Sequence, residues 1–241
     1  MISVMVPALN EELFLESTVK DIHSAAKATD VSVDIVIVDD GSKDHTPEIA
    51  DRLARENDDV RVIHNEHNMG LGASVRKVLA LEGLHDKFVI IAGDNDMPLA
   101  LIKDMFAAAP SADLVFAYFV NREARGRRRN VISQIYQAIN MISYNIFVMY
   151  ISGPCIYPTA LIQTFRIRSQ RFSVPVELTV KSLRSGCTFV EVAGFMQTGE
   201  KGSSALSWKN LWEVIVKYFQ IFWEVHVSEK ERFSKSPRRV A

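Results

Sequence analysis

The stretch "KFVIIAGDNDMP", Lys87 to Pro98, decides how this chain folds. Phe88 to Ala92 form an apolar run without alternation, the pattern of a strand buried on both faces, as in a parallel sheet. Gly93 closes the run, and Pro98 prevents its continuation as a central strand. Two carboxylates, Asp94 and Asp96, are thereby carried to the end of a buried strand, where a cation or a cation-bound ligand would offset them.

The same grammar extends outward in both directions. "ISVMVPALN" reads as a strand ending at Pro7, followed by a helix from about Glu11 to Ala28. "VDIVIVDDGS" repeats it, with a β-branched run, Val33 to Val38 broken only by Asp34, opening onto Asp39, Asp40, Gly41 and Ser42. A third strand, Val60 to Ile63, leads into "NEHNMGLGAS" and a helix from about Leu71 to Leu81. After the opening strand and a short helix comes a fifth strand, "ADLVFAYF". Strands alternating with helices through short connections specify a parallel, doubly wound sheet. Ligands of such sheets sit beyond the carboxyl ends of the strands. Pro7–Asn10, Asp39–Ser42, Asn68–Gly72 and Asp94–Asp96 all fall at that edge.

Composition bounds the rest. The 241 residues suffice for one α/β domain with additions, and 48% of them are hydrophobic. A formal net charge of −1 excludes nucleic-acid binding by bulk charge. Cys155 and Cys187 stand far apart with no metal-ligand spacing, which implies two reduced thiols and a cytoplasmic setting. "MISVMVP" lacks a basic n-region, so no signal peptide is expected. Val131 to Ile151 and Leu211 to Val227 are greasy but interrupted, the first by Ser133, Gln134, Gln137, Asn140 and Asn145, the second by Glu213, Lys217, Gln220 and Glu224. Neither is expected to cross a bilayer, though both could lie on one.

Singly, each edge motif has a bland reading. "DDGS" is turn chemistry, "NMGLG" lacks the full dinucleotide-loop spacing, and "DND" is a common surface tripeptide. Together, "VPALNEE", "VIVDDGSKDHT", "NMGLGAS" and "GDNDMP" resemble the family 2 glycosyltransferases, most closely the polyprenyl-phosphate (dolichol-phosphate mannose or glucose) sugar synthases. The resemblance covers roughly residues 1–202. It implies an α/β GT-A (Rossmann-like) fold with a mainly parallel sheet flanked by helices, a nucleotide-sugar donor, a divalent cation and inverting transfer.

Residue by residue, the resemblance makes Asp96 the first metal ligand for Mg²⁺ or Mn²⁺, with Asp94 reaching the ribose or the metal through water. Hard cations of this kind take oxygen ligands and stabilise a departing diphosphate. Asp39 would contact the base and Asp40 brace its loop. Pro7, Ala8, Asn10 and Glu12 would line the nucleotide pocket, and Gly70 and Gly72 would let backbone approach the donor. Pro98 stands where the polyprenyl-phosphate branch often has a polar side chain, which leaves water or phosphate to complete coordination. Glu177 is open between a sugar- or metal-side role and a carboxylate favoured by a helix N-terminus.

The acceptor side rests on "NREARGRRRNVIS". A run of arginines is usually a solvated loop. Here it precedes a helix whose Ser133, Gln137, Asn140 and Tyr144 form one narrow polar stripe, as suits a lipid phosphate or an anionic membrane surface. By resemblance, Arg122, Arg129 and Ser133 would bind the acceptor phosphate, with Arg128 beside them. Lys201 would stand in for a loop arginine whose place Gly199 takes. A phosphate acceptor is already anionic near neutral pH, so positioning and charge stabilisation replace a strong general base. His64 and His67 are accordingly read as structural or surface groups.

The expected organisation is a catalytic domain over residues 1–206, with a nucleotide-sugar half at 1–120 and an acceptor half at 121–206. Residues 207–241 would add an amphipathic interfacial helix and a basic tail. The expected setting is the cytoplasmic face of a membrane, bound peripherally, with a membrane-anchored subunit or a second copy as candidate partners. Three rivals stand against this reading: a family 2 enzyme acting on a soluble, glycan or protein acceptor, a sugar nucleotidyltransferase, and a non-catalytic binding subunit. The second would open with a glycine-rich Arg/Lys loop, which "VPALNEE" is not, and the Asp94/Asp96 pair argues against the third.

Overall fold

The computed structural model describes residues 1–121, 127–171, 173–195 and 208–240, with backbone alone for 127–129 and 208–211. In chain order the elements begin β1 (Ile2–Ala8), α1 (Leu15–Thr29), β2 (Val33–Asp39), α2 (Thr46–Glu56), β3 (Val60–His64) and α3 (Leu71–Leu79). They continue β4 (Lys87–Ile90), α4 (Leu99–Ala108), β5 (Leu114–Phe119), α5 (Arg127–Tyr144), β6 (Cys155–Pro158) and α6 (Thr159–Gln163). Last come α7 (Val174–Arg184), β7 (Thr188–Gly194), α8 (Trp208–Trp223) with a π-helical turn at Glu224–Ser228, and β8 (Arg238–Arg239).

The strands form one sheet in the order β3-β2-β1-β4-β6-β5-β7-β8. Every pairing is parallel except those of β6, which runs antiparallel to both β4 and β5. The mainly parallel α/β sheet expected from the alternation is thus present, with one reversed strand inserted. That strand, from the half of the chain expected to serve the acceptor, lies between β4 and β5 of the same sheet.

Both faces of the sheet are covered, which explains why its strands are apolar throughout. Successive residues of β1 and β2 point to opposite sides. Val4, Val6, Ile35 and Ile37 pack with Leu15, Val19 and Ile22 of α1 and with Leu101, Met105 and Phe106 of α4. Met5, Val36 and Val38 pack on the other face with Val75 and Val78 of α3 and Val176 and Val180 of α7. Tyr144 of α5 and Ile221 of α8 join that second layer. Helix α1 begins at Leu15, later than the expected Glu11, because residues 11–14 spend their backbone donors on turns and on the neighbouring loop.

The C-terminal basic segment is not a loose tail. Lys235 N–H donates to Arg184 O, β8 pairs with β7, and Phe233 is buried. Its cationic side chains stay exposed while Arg239 meets Glu191 at 3.1 Å and Arg232 meets Glu229 at 3.1 Å.

Candidate active site at the carboxyl edge of the sheet

Parallel register brings the expected edge residues together. Ala8 lies opposite Asp39, and Asp39 opposite His64, so the loops after β1, β2 and β3 emerge side by side. The segment after β4 keeps to β1: Ile91 N–H donates to Met5 O and Gly93 N–H to Pro7 O, each at 3.0 Å. Asp94 and Asp96 therefore follow directly beside Pro7 and Ala8.

The first two loops are laced to each other. Asn10 N–H donates to Ser42 Oγ at 2.9 Å, and Lys43 N–H donates back to Asn10 Oδ1 at 2.8 Å. Glu12 Oε2 accepts from His45 N–H at 2.9 Å, while Glu12 N–H donates to Asp44 Oδ2 at 3.2 Å. Asn10 adopts φ 57°, a left-handed conformation that asparagine tolerates better than most residues. Asn10 and Glu12 thus tie the loops after β1 and β2 together through their own polar atoms.

Asp39 is buried, with Oδ1 accepting from Ser42 N–H at 2.9 Å and Oδ2 3.0 Å from His64 Nδ1. The other His64 nitrogen lies 3.2 Å from Asp51 Oδ1. Burial pushes the His64 pKa down, but the hydrogen bonds to Asp39 and Asp51 outweigh it, and the net shift is upward.

Asp40 has a separate task. Its carboxylate accepts the backbone N–H of Met69 at 2.8 Å and of Gly70 at 2.9 Å, and Asn65 Nδ2 at 2.8 Å. It therefore fixes the glycine loop after β3. The sequence reading passed over Asn65, which is buried between Asp40, Ser74 and Lys77. Its signal was a polar residue immediately after a strand, at the edge where the other motifs gather.

The glycines of that loop face the protein itself. A Cβ on Gly72 would fall 2.0 Å from Ser169 O, and one on Gly70 would fall 2.8 Å from Gln170 O. Gly72 N–H donates to Gln170 O at 2.9 Å. A strap at residues 167–171 lies against the loop and uses the space that side chains would need.

Glu177 lies beneath the strap, fully buried, and its oxygens accept from Arg168 N–H at 3.0 and 3.1 Å and from Ser169 N–H at 2.8 Å. Lys181 Nζ sits 2.7 Å from Glu177 and 2.7 Å from Glu224, and Arg168 Nε donates to Glu224 at 3.0 Å. Burial alone would raise the Glu177 pKa, but Lys181 and the N–H donors lower it overall. The carboxylate of Glu177 thus braces the strap through its backbone N–H groups.

Asp94 and Asp96 are half-buried, and Asp96 N–H donates to Asp94 Oδ1 at 3.2 Å. Asn95 between them takes φ 55°, and its Oδ1 is buried with no hydrogen-bond partner among the described residues. No cluster of three or more acidic, histidine or cysteine groups forms a cation site among the described residues. The donor set is a pair of carboxylates, which suits a hard cation that takes its remaining oxygens from phosphate and water.

Of the residues expected to meet the acceptor, Arg122 and Lys201 lie outside the described residues, as does Gly199. Arg128 and Arg129 fall in the first turn of α5, and Ser133 lies one turn on, half-buried. The polar stripe of α5 turns inward: Asn140 and Tyr144 are buried, and Gln137 Nε2 donates to Met149 O at 2.8 Å. Val131, Ile132, Ile135, Ile139 and Ile142 are exposed instead.

Helix α8 repeats that inversion. Glu224 is buried, Glu213 faces the strap, and Trp212 (68% exposed), Phe219 (64%) and Trp223 (62%) face out. The helices meet where Tyr144 stacks on His226 and Tyr144 Oη donates to Tyr218 O at 3.1 Å. No helix among the described residues is long and apolar enough to cross a membrane.

Known proteins match this chain in sequence and in fold. A polyprenol monophosphomannose synthase of Mycolicibacterium smegmatis is 27% identical over 226 residues, covering 89% of this chain and 84% of that protein. Glycosyltransferase AglD of Haloferax volcanii is 30% identical over 148 residues, 57% of this chain. The matches to the first three curated relatives span 23%, 31% and 39% of those proteins' own lengths. Glucosyl-3-phosphoglycerate synthase of Mycobacterium tuberculosis, crystallised with Mn²⁺, UDP-glucose and phosphoglyceric acid, superposes with a TM-score of 0.67 at 18% identity. That match covers 92% of this chain and 79% of the solved one, and it shows the shared fold. The glycosyl transferase family 2 model matches residues 3–157, β1 through β6 with the whole carboxylate edge, and the chain belongs to that family.

Proposed function

We propose that this chain transfers a sugar from a GDP- or UDP-sugar to a polyprenyl phosphate at a membrane surface, with Mg²⁺ or Mn²⁺. The observation that carries the donor half is the carboxylate edge, where Asp94 and Asp96 emerge beside Pro7 and Ala8. Asp96, with Asp94, would hold the cation, whose chemistry is to stabilise charge on a departing diphosphate. The chain's own part is positional. Asp39 and the laced loops present a rigid rim to the nucleotide, and Asp40 holds the glycine loop in place.

The acceptor half rests on the arginines that lead into α5 and on two helices with apolar outer faces. Of the exposed large hydrophobic residues described, most belong to α5, the loop after it (Phe147 and Met149) and α8. Aromatic and aliphatic side chains on a helix lying flat suit the bilayer interface, and arginines beside them suit lipid phosphate. The similarity to a polyprenol-phosphate mannosyl synthase over most of both chains supports the same acceptor class.

The test is a donor screen with purified full-length protein, a divalent cation, and either a short-chain polyprenyl phosphate or 3-phosphoglycerate. Transfer to the polyprenyl phosphate is expected, with Arg129→Ala raising the acceptor KM at least tenfold and leaving the donor KM within about twofold. Transfer to 3-phosphoglycerate alone would replace this reading with a soluble-acceptor one.

A further inference from the structure

The strap at 167–171 has an unusual set of supports. Four successive backbone N–H groups are received by only two carboxylates. Those of Arg168 and Ser169 go to Glu177, and those of Gln170 and Arg171 go to Glu213 Oε1 at 3.3 and 3.4 Å. Glu213 Oε2 also receives Ser173 Oγ at 3.4 Å. Glu224 takes the Arg168 side chain and shares Lys181 with Glu177.

Glu213 and Glu224 stand about three helical turns apart, which puts both on one side of α8 and the turn that continues it. They are the inward polar stripe of a helix whose outer face is Trp212, Phe219 and Trp223. The opposite side of the strap holds the glycine loop. Ser169 O and Gln170 O occupy the space of absent Cβ atoms on Gly72 and Gly70, and Gln170 O accepts the Gly72 N–H. Arg76 Nη1, one turn further along α3, donates to Ile167 O at 3.3 Å and to Ser169 O at 3.4 Å. A continuous path of hydrogen bonds therefore runs from the carboxylates of α8 through the strap to the loop that Asp40 anchors from beneath.

We propose that Glu213 of α8 and Glu224 of the π-helical turn that continues it are positioning residues for the nucleotide-sugar site, holding the strap so that the Gly70–Gly72 loop keeps its donor-binding shape. This rests on the reading of the carboxyl edge as the donor site. Binding of the donor and seating of α8 are then linked, because each favours the same arrangement of the strap. Carboxylate-to-amide bonds suit such a task, since the charge on the acceptor strengthens them and fixes the backbone rather than a side chain. The π-helical turn at Glu224–Ser228 starts where α8 meets Arg168 and Lys181, so the helix departs from regular geometry at the contact itself.

The experiment compares full-length wild type with Glu213→Ala, Glu213→Gln and Glu224→Gln. Two readouts are taken: calorimetric binding of UDP and of GDP with MnCl2, and amide hydrogen exchange across residues 69–73 and 168–173. Glu213→Ala should weaken binding of the preferred nucleotide at least fivefold and speed exchange in both segments at a temperature well below melting. Glu213→Gln, which keeps an acceptor oxygen, should recover most of the affinity. A helix that only adds stability would lower the melting temperature and leave nucleotide affinity unchanged. Unaltered exchange at 69–73 in both Glu213→Ala and Glu224→Gln would overturn the proposal. Wild type binding neither nucleotide would overturn the donor reading of the edge instead, and the two failures are thereby told apart.

Discussion

Replacing Lys181 by Met tests the buried charge cluster directly. Lys181 and Glu177 are 0% exposed and Glu224 is 2% exposed, so a single ammonium serves two carboxylates out of contact with water. Methionine nearly matches the stem of lysine in length, so packing is largely kept while the charge goes. Removing one partner of a buried pair costs about 3–5 kcal/mol, because the remaining charge stays desolvated. At about 2–4 °C per kcal/mol for a chain of this size, Tm should fall by roughly 6–20 °C at neutral pH.

The pH dependence supplies the sharper criterion. The Glu177 pKa is lowered in the fold, so its contribution to stability is present above the unfolded value near 4.5 and is lost as pH falls through the folded value. Without Lys181 the burial effect dominates and the carboxyl takes up its proton more readily. The stability gap between wild type and Lys181→Met should therefore be widest near pH 7 and narrow toward pH 4. Urea denaturation at several pH values measures it. A gap under about 1 kcal/mol at pH 7, or one that widens on acidification, would refute the account of this cluster.

Asp96→Asn should leave urea unfolding within about 0.5 kcal/mol of wild type, as expected of a loop position that does little packing. It should abolish transfer, and normal turnover by this variant, or full wild-type activity in chelator, would remove the cation from the mechanism. Replacing Trp212, Phe219 and Trp223 together by Ser should abolish co-sedimentation with anionic phosphatidylserine vesicles while raising solubility. Equal recovery in the pellet would assign the outer face of α8 to a protein partner. The raised pKa of His64 means that its bonds to Asp39 and Asp51 contribute stability fully below about pH 6.5, lost as pH rises through the folded value. Wild type should exceed His64→Gln in stability at pH 6 and converge with it at alkaline pH, and thermal melts across that range check it.

Much of the molecule could be read from its residues because local and global demands coincide there. Ile35 to Val38 and Phe88 to Ile91 are apolar on both faces because helices cover both faces, and that pattern points to a parallel sheet before any contact is known. The place of Asp40 and of the Asp94/Asp96 pair at strand ends was legible for the same reason, since strand ends are where loops with polar cargo must emerge. Glu177 was not legible as a brace. A Glu and a Lys four residues apart on a helix look alike whether solvated or sealed, and only tertiary packing distinguishes them. The polar stripes of α5 and α8 were found, but their direction was not. Periodicity says which residues share a face and is silent on which face meets the protein. Strand β6, the four residues "CIYP", was missed because its antiparallel place depends on partners far away in the chain.

That inserted strand sets a condition on synthesis. As the chain leaves the ribosome, β4 and β5 are complete well before β6 exists, and neither can close against the other without occupying the slot that β6 must fill. Until then two apolar strands, "KFVI" and "LVFAYF", present open edges, the kind of surface that pairs with other chains. A gene fragment stopping before Cys155 would encode the loops after β1 to β4 and is still expected to yield an aggregating product. The carboxylates at the sheet edge come early in the chain, but the platform that aims them is finished only when residues 155–158 arrive from the far side of α5.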